Sequence, residues 1–176
     1  MGEPITARNG GLALTPVWAN GLNCYSFAAQ EAAPGGAGAI SCVPGARGGA
    51  PLTSAIITKA LLHQACVADG FEDVSGGVLG SDYKFRNPPV CDANSYLVAV
   101  FYDTRHSFHF ARQLADGSAR ARDWVHKPSA AQNAHNMQGG YWLGSNISNV
   151  PWGPHFEFVS YLKAPNAGVR VNKGNF

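Results

Sequence analysis

The sequence predicts an α+β domain in which two N-terminal helices pack on an antiparallel sheet of about four to six strands. Helical patterns precede the strand patterns along the chain, and 21 glycines and 11 prolines indicate many turns and short elements. With 176 residues and 45% hydrophobic residues, the chain suits a single domain, 1–176, built around one core.

The first predicted helix begins after Asn23 and carries a cysteine in its first turn. Asn23 is a good N-cap, the alanines that follow favour helix, and Pro34-Gly35-Gly36 ends the pattern after Ala33. The second predicted helix covers 53–69, with Thr53 as its N-cap and Gly70 at its end. Its apolar residues recur at steps of three and four and predict a buried face: Ile56, Ile57, Ala60, Leu61 and Ala65.

The strand patterns follow in the second half of the chain. The segment 96–103 is apolar on both faces, as expected of a central strand. The segments 107–115 and 123–127 predict the next two strands, with the turn signal Asp116-Gly117 between them, and 156–162 alternates as a further strand. This order predicts an antiparallel meander, with loops between the elements.

Composition and charge argue against several functional classes. Charged residues make up only 14%, and the net charge of +2 is too weak for a surface that follows phosphates, so no nucleic-acid partner is expected. No apolar run approaches the roughly 20 residues of a membrane span. The segment 1–8 lacks the apolar core of a signal peptide, which leaves the cellular location open between cytosol, export without a cleaved signal and a chain already processed.

None of the four cysteines forms a C-x-x-C pair, which argues against a zinc ribbon or a thioredoxin-like motif. Two interpretations remain for Cys42, Cys66 and Cys91. They form one or two disulfides, or they are small buried apolar residues, and the second interpretation is favoured.

Cys24 is a candidate nucleophile, because it lies in the first turn of a predicted helix. The unpaired N–H groups and the positive end of the helix dipole stabilise a thiolate there, and the thiolate is the nucleophilic form of cysteine. Amide chemistry then requires a histidine within hydrogen-bond reach, to exchange protons with the thiol and with the leaving amine.

Two of the six histidines, His109 and His126, flank the Asp116-Gly117 turn on successive predicted strands. If the loop is centred between Gly117 and Ser118, the two imidazoles face each other directly across the strands, whereas a change of register by one residue would separate them. His106 is three residues from His109 and would point to the opposite face of the strand. No metal site is therefore expected there, and no cofactor is predicted.

Three segments resemble parts of the papain-like superfamily, in particular its small bacterial NlpC-type branch of amidases and peptidases. They are Asn23-Cys24-Tyr25-Ser26-Phe27, then 109–113, and finally 123–128. That branch orders its functional residues as a cysteine on a helix, a histidine on the first strand of the following sheet and a polar residue, often histidine, on the next strand. The resemblance also implies a papain-like fold.

The resemblance implies that Cys24 is the nucleophile, that His109 is the general base and acid, and that His126 orients His109. Asp123 is the rival third member, as in transglutaminases. Papain has a glutamine six residues before its nucleophile that helps to form the oxyanion hole, and this chain has Trp18 there. Three groups are candidates to replace that glutamine: Asn20, Asn23 and a backbone N–H group.

The expected function is thiol-dependent hydrolysis of an amide bond in a peptide, of either the peptidoglycan type or a protein. In the first case, analogy with the family implies a toxin-like effector that acts on a rival cell, with an immunity protein as partner. Two alternatives remain: a transglutaminase or deamidase type of acyl transferase on the same Cys–His scaffold, and a non-catalytic binding module.

Overall fold

The computed structural model describes residues 23–29, 42–75, 91–113, 124–126, 135–136 and 153–172. Within them the architecture is α+β, with two helices and a six-stranded antiparallel sheet, which confirms the predicted fold class. The helices are α1 (Cys24–Ala28) and α2 (Lys59–Asp69). The strands are β1 (Glu72–Asp73), β2 (Ser95–Asp103), β3 (Ser107–Gln113), β4 (Trp124–His126), β5 (His135–Asn136) and β6 (Phe156–Pro165).

The sheet has the strand order β1-β6-β2-β3-β4-β5. Strands β2 to β5 form a meander, but β6 returns to pair with β2, so the prediction of a simple meander was wrong. The physical reason is burial: 158–162 are all buried, and a strand apolar on both faces belongs inside a sheet. The two-residue strands β1 and β5 occupy segments that were predicted as loops.

Alternating residues of the central strands divide the sheet into two faces. The helix face packs under the two helices and includes Val98, Val100, Phe108, Phe110 and Leu162. The opposite face has its own apolar cluster, including Ala99, Phe101, Ala111, Trp124 and Tyr161. A β-bulge shifts the register between β2 and β6, because Val100 pairs with Ser160 whereas Phe101 pairs with Phe158.

Helix α1 is shorter than predicted. Asn23 caps it as expected, with its side-chain oxygen accepting a hydrogen bond from the Ser26 N–H at 2.9 Å, but the helix ends at Ala28 rather than Ala33. Residues 30–33 lie outside the described part of the chain. All five residues of α1 are buried, and one helix of this length is not stable alone, so burial against the sheet holds it in place.

Helix α2 begins six residues after the predicted start. Residues 53–56 form a separate turn, closed by a hydrogen bond from the Ile56 N–H to the Thr53 carbonyl at 3.1 Å. The N-cap is Thr58, whose hydroxyl accepts from the Leu61 N–H at 3.2 Å. Gly70 ends the helix as predicted, with a left-handed φ of 115° that glycine adopts without steric cost.

The later start also changes which face of α2 is buried. Leu62, Ala65 and Cys66 face the core, whereas Ile56, predicted as a core residue, is 54% exposed and Leu61 is 39% exposed. Two threonine caps at 53 and 58 are equally good as sequence signals, and only the tertiary position of the buried Ile57 separates them. In the described part of the chain, no helix is long and apolar enough to cross a membrane.

The two threonines provide a test of the helix boundary. Replacing Thr58 by alanine removes the N-cap hydrogen bond and should lower the free energy of unfolding by about 1 kcal/mol. Thr53→Ala, at the exposed turn, should change it by about 0.5 kcal/mol or less. Urea unfolding followed by circular dichroism measures both variants, and a larger loss for Thr53→Ala would contradict the boundary described here.

Candidate active site

Cys24 is the first residue of α1 and is 8% exposed. Its sulfur lies 4.0 Å from the backbone carbonyl oxygen of Phe108, on β3, to which the thiol donates. Phe108 immediately precedes His109 in the chain. The thiol from the first half of the chain and the imidazole from the second half are therefore carried to the same part of β3.

The direction of the Phe108 carbonyl defines which side of β3 the sulfur occupies. Hydrogen-bonded and non-hydrogen-bonded pairs alternate along an antiparallel ladder. A three-residue turn joins β2 and β3, and its last residue, His106, has a left-handed backbone conformation (φ 66°). In a hairpin of this type, the pair that closes the turn, Asp103 and Ser107, is a hydrogen-bonded pair. The next pair, Tyr102 and Phe108, then directs its carbonyls away from the partner strand.

The sulfur of Cys24 consequently lies at the β4 side of β3. The described part of β4 pairs only with Ala111–Gln113, so it ends short of the level of Phe108. Helix α1 also packs against β4 as well as β3. Within the described residues, the thiol thus lies beside β3 on its β4 side, beyond the last described pair of β3 and β4.

His109 and His126 are in contact, with Nε2 of His109 3.1 Å from Nδ1 of His126. The rings meet edge to face at 77°, with their centroids 5.2 Å apart. The partner of His126 in the ladder is Ala111, so the predicted direct pairing of the two histidines was wrong by two residues. Because side chains alternate with period two, a shift of two residues keeps both imidazoles on one face, where they meet diagonally.

His109 is buried on the opposite face of the sheet, where the Phe156 ring lies 6.1 Å away. Burial, together with the charge of the neighbouring His126, lowers the pKa of His109 to about 3. The imidazole is therefore neutral near pH 7, which is the form that accepts a proton. His126 is half-buried.

The thiol and the imidazole approach the strand from different faces. Tyr25 of α1 packs on the helix face against Phe108 and Phe110, with ring centroids 6.5 and 4.9 Å apart. His109 points to the opposite face, as its position between these two residues requires. A contact between Cys24 and His109 therefore has to pass around the β3 edge, which sequence patterns did not predict.

The remaining candidates fall into two groups. The amide of Asn23 is engaged as a cap: its oxygen accepts from the Ser26 N–H and hydroxyl, and its Nδ2 donates to the Cys42 carbonyl at 2.7 Å. Asn20 and Asp123 lie outside the described residues, as does the Asp116-Gly117 turn.

All four cysteines are reduced, so the disulfide interpretation of Cys42, Cys66 and Cys91 does not hold in this structure. Cys42 and Cys66 are buried. Burial, with the nearby charge of Asp69, raises the pKa of the Cys66 thiol well above its ordinary value, and burial also raises that of Cys91. These environments keep both thiols protonated and poorly nucleophilic.

Sequence analysis missed a second polar group, at the contact between α2 and the sheet. Nδ1 of His63 is 2.8 Å from the Ser160 hydroxyl, and Nε2 is 3.6 Å from an Asp73 carboxylate oxygen. The residue types are those of a serine hydrolase, but Ser160 is 0% exposed, so no substrate reaches it. The group instead ties α2 to the sheet. No cluster of three or more metal-ligating side chains occurs among the residues whose placement is described.

The buried neutral state of His109 predicts a pH-dependent stability. An unfolded histidine has a pKa near 6.5, so between about pH 6.5 and pH 3 the unfolded chain binds a proton that the folded chain does not. Stability is therefore lost as the pH falls, and His109→Gln should remove about 2 kcal/mol of the loss between pH 7 and 4.5.

Urea unfolding at the two pH values measures this difference. His106→Asn, at an exposed turn whose left-handed backbone asparagine tolerates, is the control and should behave as the wild type. Equal pH dependence in His109→Gln and the wild type would show that His109 is not held neutral by burial.

Comparisons with models of protein families, with curated protein sequences and with solved structures give no match to this chain. The features that bear on function are therefore those of the described residues. The buried Cys24 thiol lies against the Phe108 carbonyl of β3, and the next residue of β3, His109, is a neutral histidine in contact with His126.

Proposed function

We propose that this chain is a thiol-dependent hydrolase of amide bonds, in which Cys24 is the nucleophile and His109 is the general base and acid. The observation that carries the proposal is the position of the Cys24 sulfur against the β3 backbone, one residue before His109. Burial raises the thiol pKa values of two other cysteines, Cys66 and Cys91, and so keeps those thiols protonated.

The ring nitrogens of His109 have separate roles in the proposed mechanism. In this assignment Nε2 of His109 carries the proton and donates it to Nδ1 of His126, which is one of the two tautomer arrangements that fit their 3.1 Å separation. Nδ1 of His109 is then the proton acceptor. Because Nδ1 is the ring nitrogen nearer to the backbone, it is the one that a sulfur beside the β3 backbone can approach.

The reaction proceeds through an acyl-enzyme. The thiol proton of Cys24 passes to His109 Nδ1 as the sulfur bonds to the substrate carbonyl carbon, and the carbonyl oxygen becomes an oxyanion. His109 then returns the proton to the amine nitrogen, whose bond to the carbonyl carbon breaks. Water then gives a proton to Nδ1 of His109 as its oxygen bonds to the thioester carbon. The carbon–sulfur bond breaks, the acid is released, and His109 returns the proton to the Cys24 thiolate.

The oxyanion is assigned to the backbone N–H of Cys24, at the start of α1. Asn23 is less suited to this role, since its amide already makes three hydrogen bonds that shape the turn before the nucleophile. Asn20 is the alternative donor. His126 is the group that orients His109, with Asp123 as its rival.

A papain-like origin of the domain, in the NlpC-type branch, is part of the proposal. It is supported by the chain order of Cys24, His109 and His126 and by the α+β architecture with a cysteine-bearing helix packed on an antiparallel sheet. Peptides of the peptidoglycan type are the first substrates to test. An immunity protein would be the corresponding partner if the enzyme acts on rival cells.

The nucleophile assignment is tested by the reactivity of each thiol. Iodoacetamide labelling near neutral pH, mapped by mass spectrometry, should modify Cys24 at least about tenfold faster than the half-buried Cys91. His109→Ala should slow the labelling of Cys24 by about 10²-fold, because it removes the base, and should leave Cys91 unchanged. A rate at Cys24 equal to that of an ordinary thiol would favour a non-catalytic binding module.

The reaction class is tested by the products formed from peptidoglycan fragments. Hydrolysis adds one water to each cleaved amide and exposes a new amine, and Cys24→Ala should abolish both changes while the protein stays folded. Products that retain the acyl group on a second amine would instead identify an acyl transferase. Turnover by Cys24→Ala would contradict the assignment of the nucleophile.

A further inference from the structure

A buried hydrogen bond links the residue after the nucleophile to the end of α2. The Tyr25 hydroxyl donates to Oδ2 of Asp69 at 2.7 Å, and the two residues are 0% and 1% exposed. Asp69 is itself fixed by a loop, since its carboxylate accepts the N–H groups of Gly45, Arg47 and Gly48 at 2.8 to 2.9 Å. The hydroxyl of Tyr25 is thus attached to a rigid acceptor.

The ring of Tyr25 is held as firmly as its hydroxyl. Its centroid lies 4.9 Å from that of Phe110 on β3 and 5.9 Å from that of Phe71, just after α2. Burial raises the pKa of the Tyr25 hydroxyl well above its ordinary value, with the charge of Asp69 adding to the effect, so the group remains a hydrogen-bond donor. Tyr25 therefore connects α1 to β3 through its ring and to α2 through its oxygen.

A second tyrosine holds the other end of the same short helix. The Tyr96 hydroxyl, from β2, donates to the carbonyl of Ala28 at 2.9 Å. Both tyrosine hydroxyls hold α1 through buried hydrogen bonds, that of Tyr25 beside Cys24 and that of Tyr96 at the last residue of the helix. The two hydroxyl groups allow a matched comparison, because Tyr25 is next to Cys24 whereas Tyr96 contacts the far end of α1.

We propose that Tyr25 and Asp69 are positioning residues for Cys24, which set the sulfur at the β3 edge by fixing the first turn of α1. This inference rests on the proposed function. A five-residue helix has too few internal hydrogen bonds to fix its own rotation, so the position of its first turn depends on the side chains that anchor it, Asn23 before Cys24 and Tyr25 after it. A displacement of the sulfur by about 1 Å is enough to reduce reactivity strongly.

The experiment compares Tyr25→Phe with Tyr96→Phe, each of which removes a single oxygen. Iodoacetamide labelling of Cys24 is followed from pH 5 to 9 for the wild type and both variants, and urea unfolding gives the stability of each. We expect Tyr25→Phe to slow the labelling of Cys24 about tenfold at neutral pH and to shift its pH profile. Tyr96→Phe should lower the urea midpoint comparably but leave the rate and the profile unchanged.

The outcomes separate this inference from the proposed function. A wild type whose Cys24 reacts no faster than an ordinary thiol overturns the proposed function, and the inference with it. A fast wild type with equally fast Tyr25→Phe overturns the inference alone. Equal slowing by Tyr25→Phe and Tyr96→Phe also overturns it, because that result would show a general loosening of α1 rather than control of its first turn.

Discussion

The burial of α1 against β3 is the constraint on which the rest of the structure depends. All five residues of the helix are buried, and its sheet-facing side chains meet aromatic rings and the guanidinium of Arg112, which lies 4.7 Å from the Phe27 ring centroid. The same guanidinium lies 5.4 Å from the Tyr96 ring centroid, so one buried cation is held between an α1 ring and a β2 ring. Burial thereby fixes the position of a helix that is too short to be stable alone, and it fixes the position of Cys24 as well.

The same arrangement explains why the residues of the candidate site come from both faces of the sheet. The apolar contacts of α1 occupy the helix face, whereas His109 and His126 share the opposite face. Only at the β4 side of β3, where the described part of β4 ends short of Phe108, does the structure bring the thiol to the level of the imidazole. Burial keeps the His109 imidazole neutral near pH 7, and the same lowered pKa makes it a weaker base than a solvated imidazole.

Local signals in the sequence predicted those parts of the fold that depend on few residues. The cap at Asn23, the end of α2 at Gly70 and the central strand β2 follow from side-chain chemistry and from runs of apolar residues. The start of α2 did not, because Thr53 and Thr58 are equivalent as local signals. Strand β6 pairs with β2, which is distant from it in sequence. The residue pattern of a single strand does not indicate which distant strand will be its partner.

The histidine pair shows the same division between local and distant information. Alternation along the strands is local, and combined with an assumed loop centre it predicted that His109 and His126 share a face. Their register depends on the whole β3–β4 connection, and it differed by two residues without separating the rings. The route of Cys24 around the strand edge depends on where α1 packs, and no local pattern predicts it.

Asp69 illustrates how one buried group differentiates chemically identical side chains. Burial, together with the negative charge of Asp69, raises the pKa of the Cys66 thiol, and the same carboxylate accepts a hydrogen bond from the hydroxyl of Tyr25, next to Cys24. In the proposed enzyme these two effects act in one direction: the first keeps a neighbouring thiol protonated and inert, and the second positions the reactive one. The difference between Cys66 and Cys24 then arises from burial and from the contacts of this carboxylate, since the thiols themselves are the same.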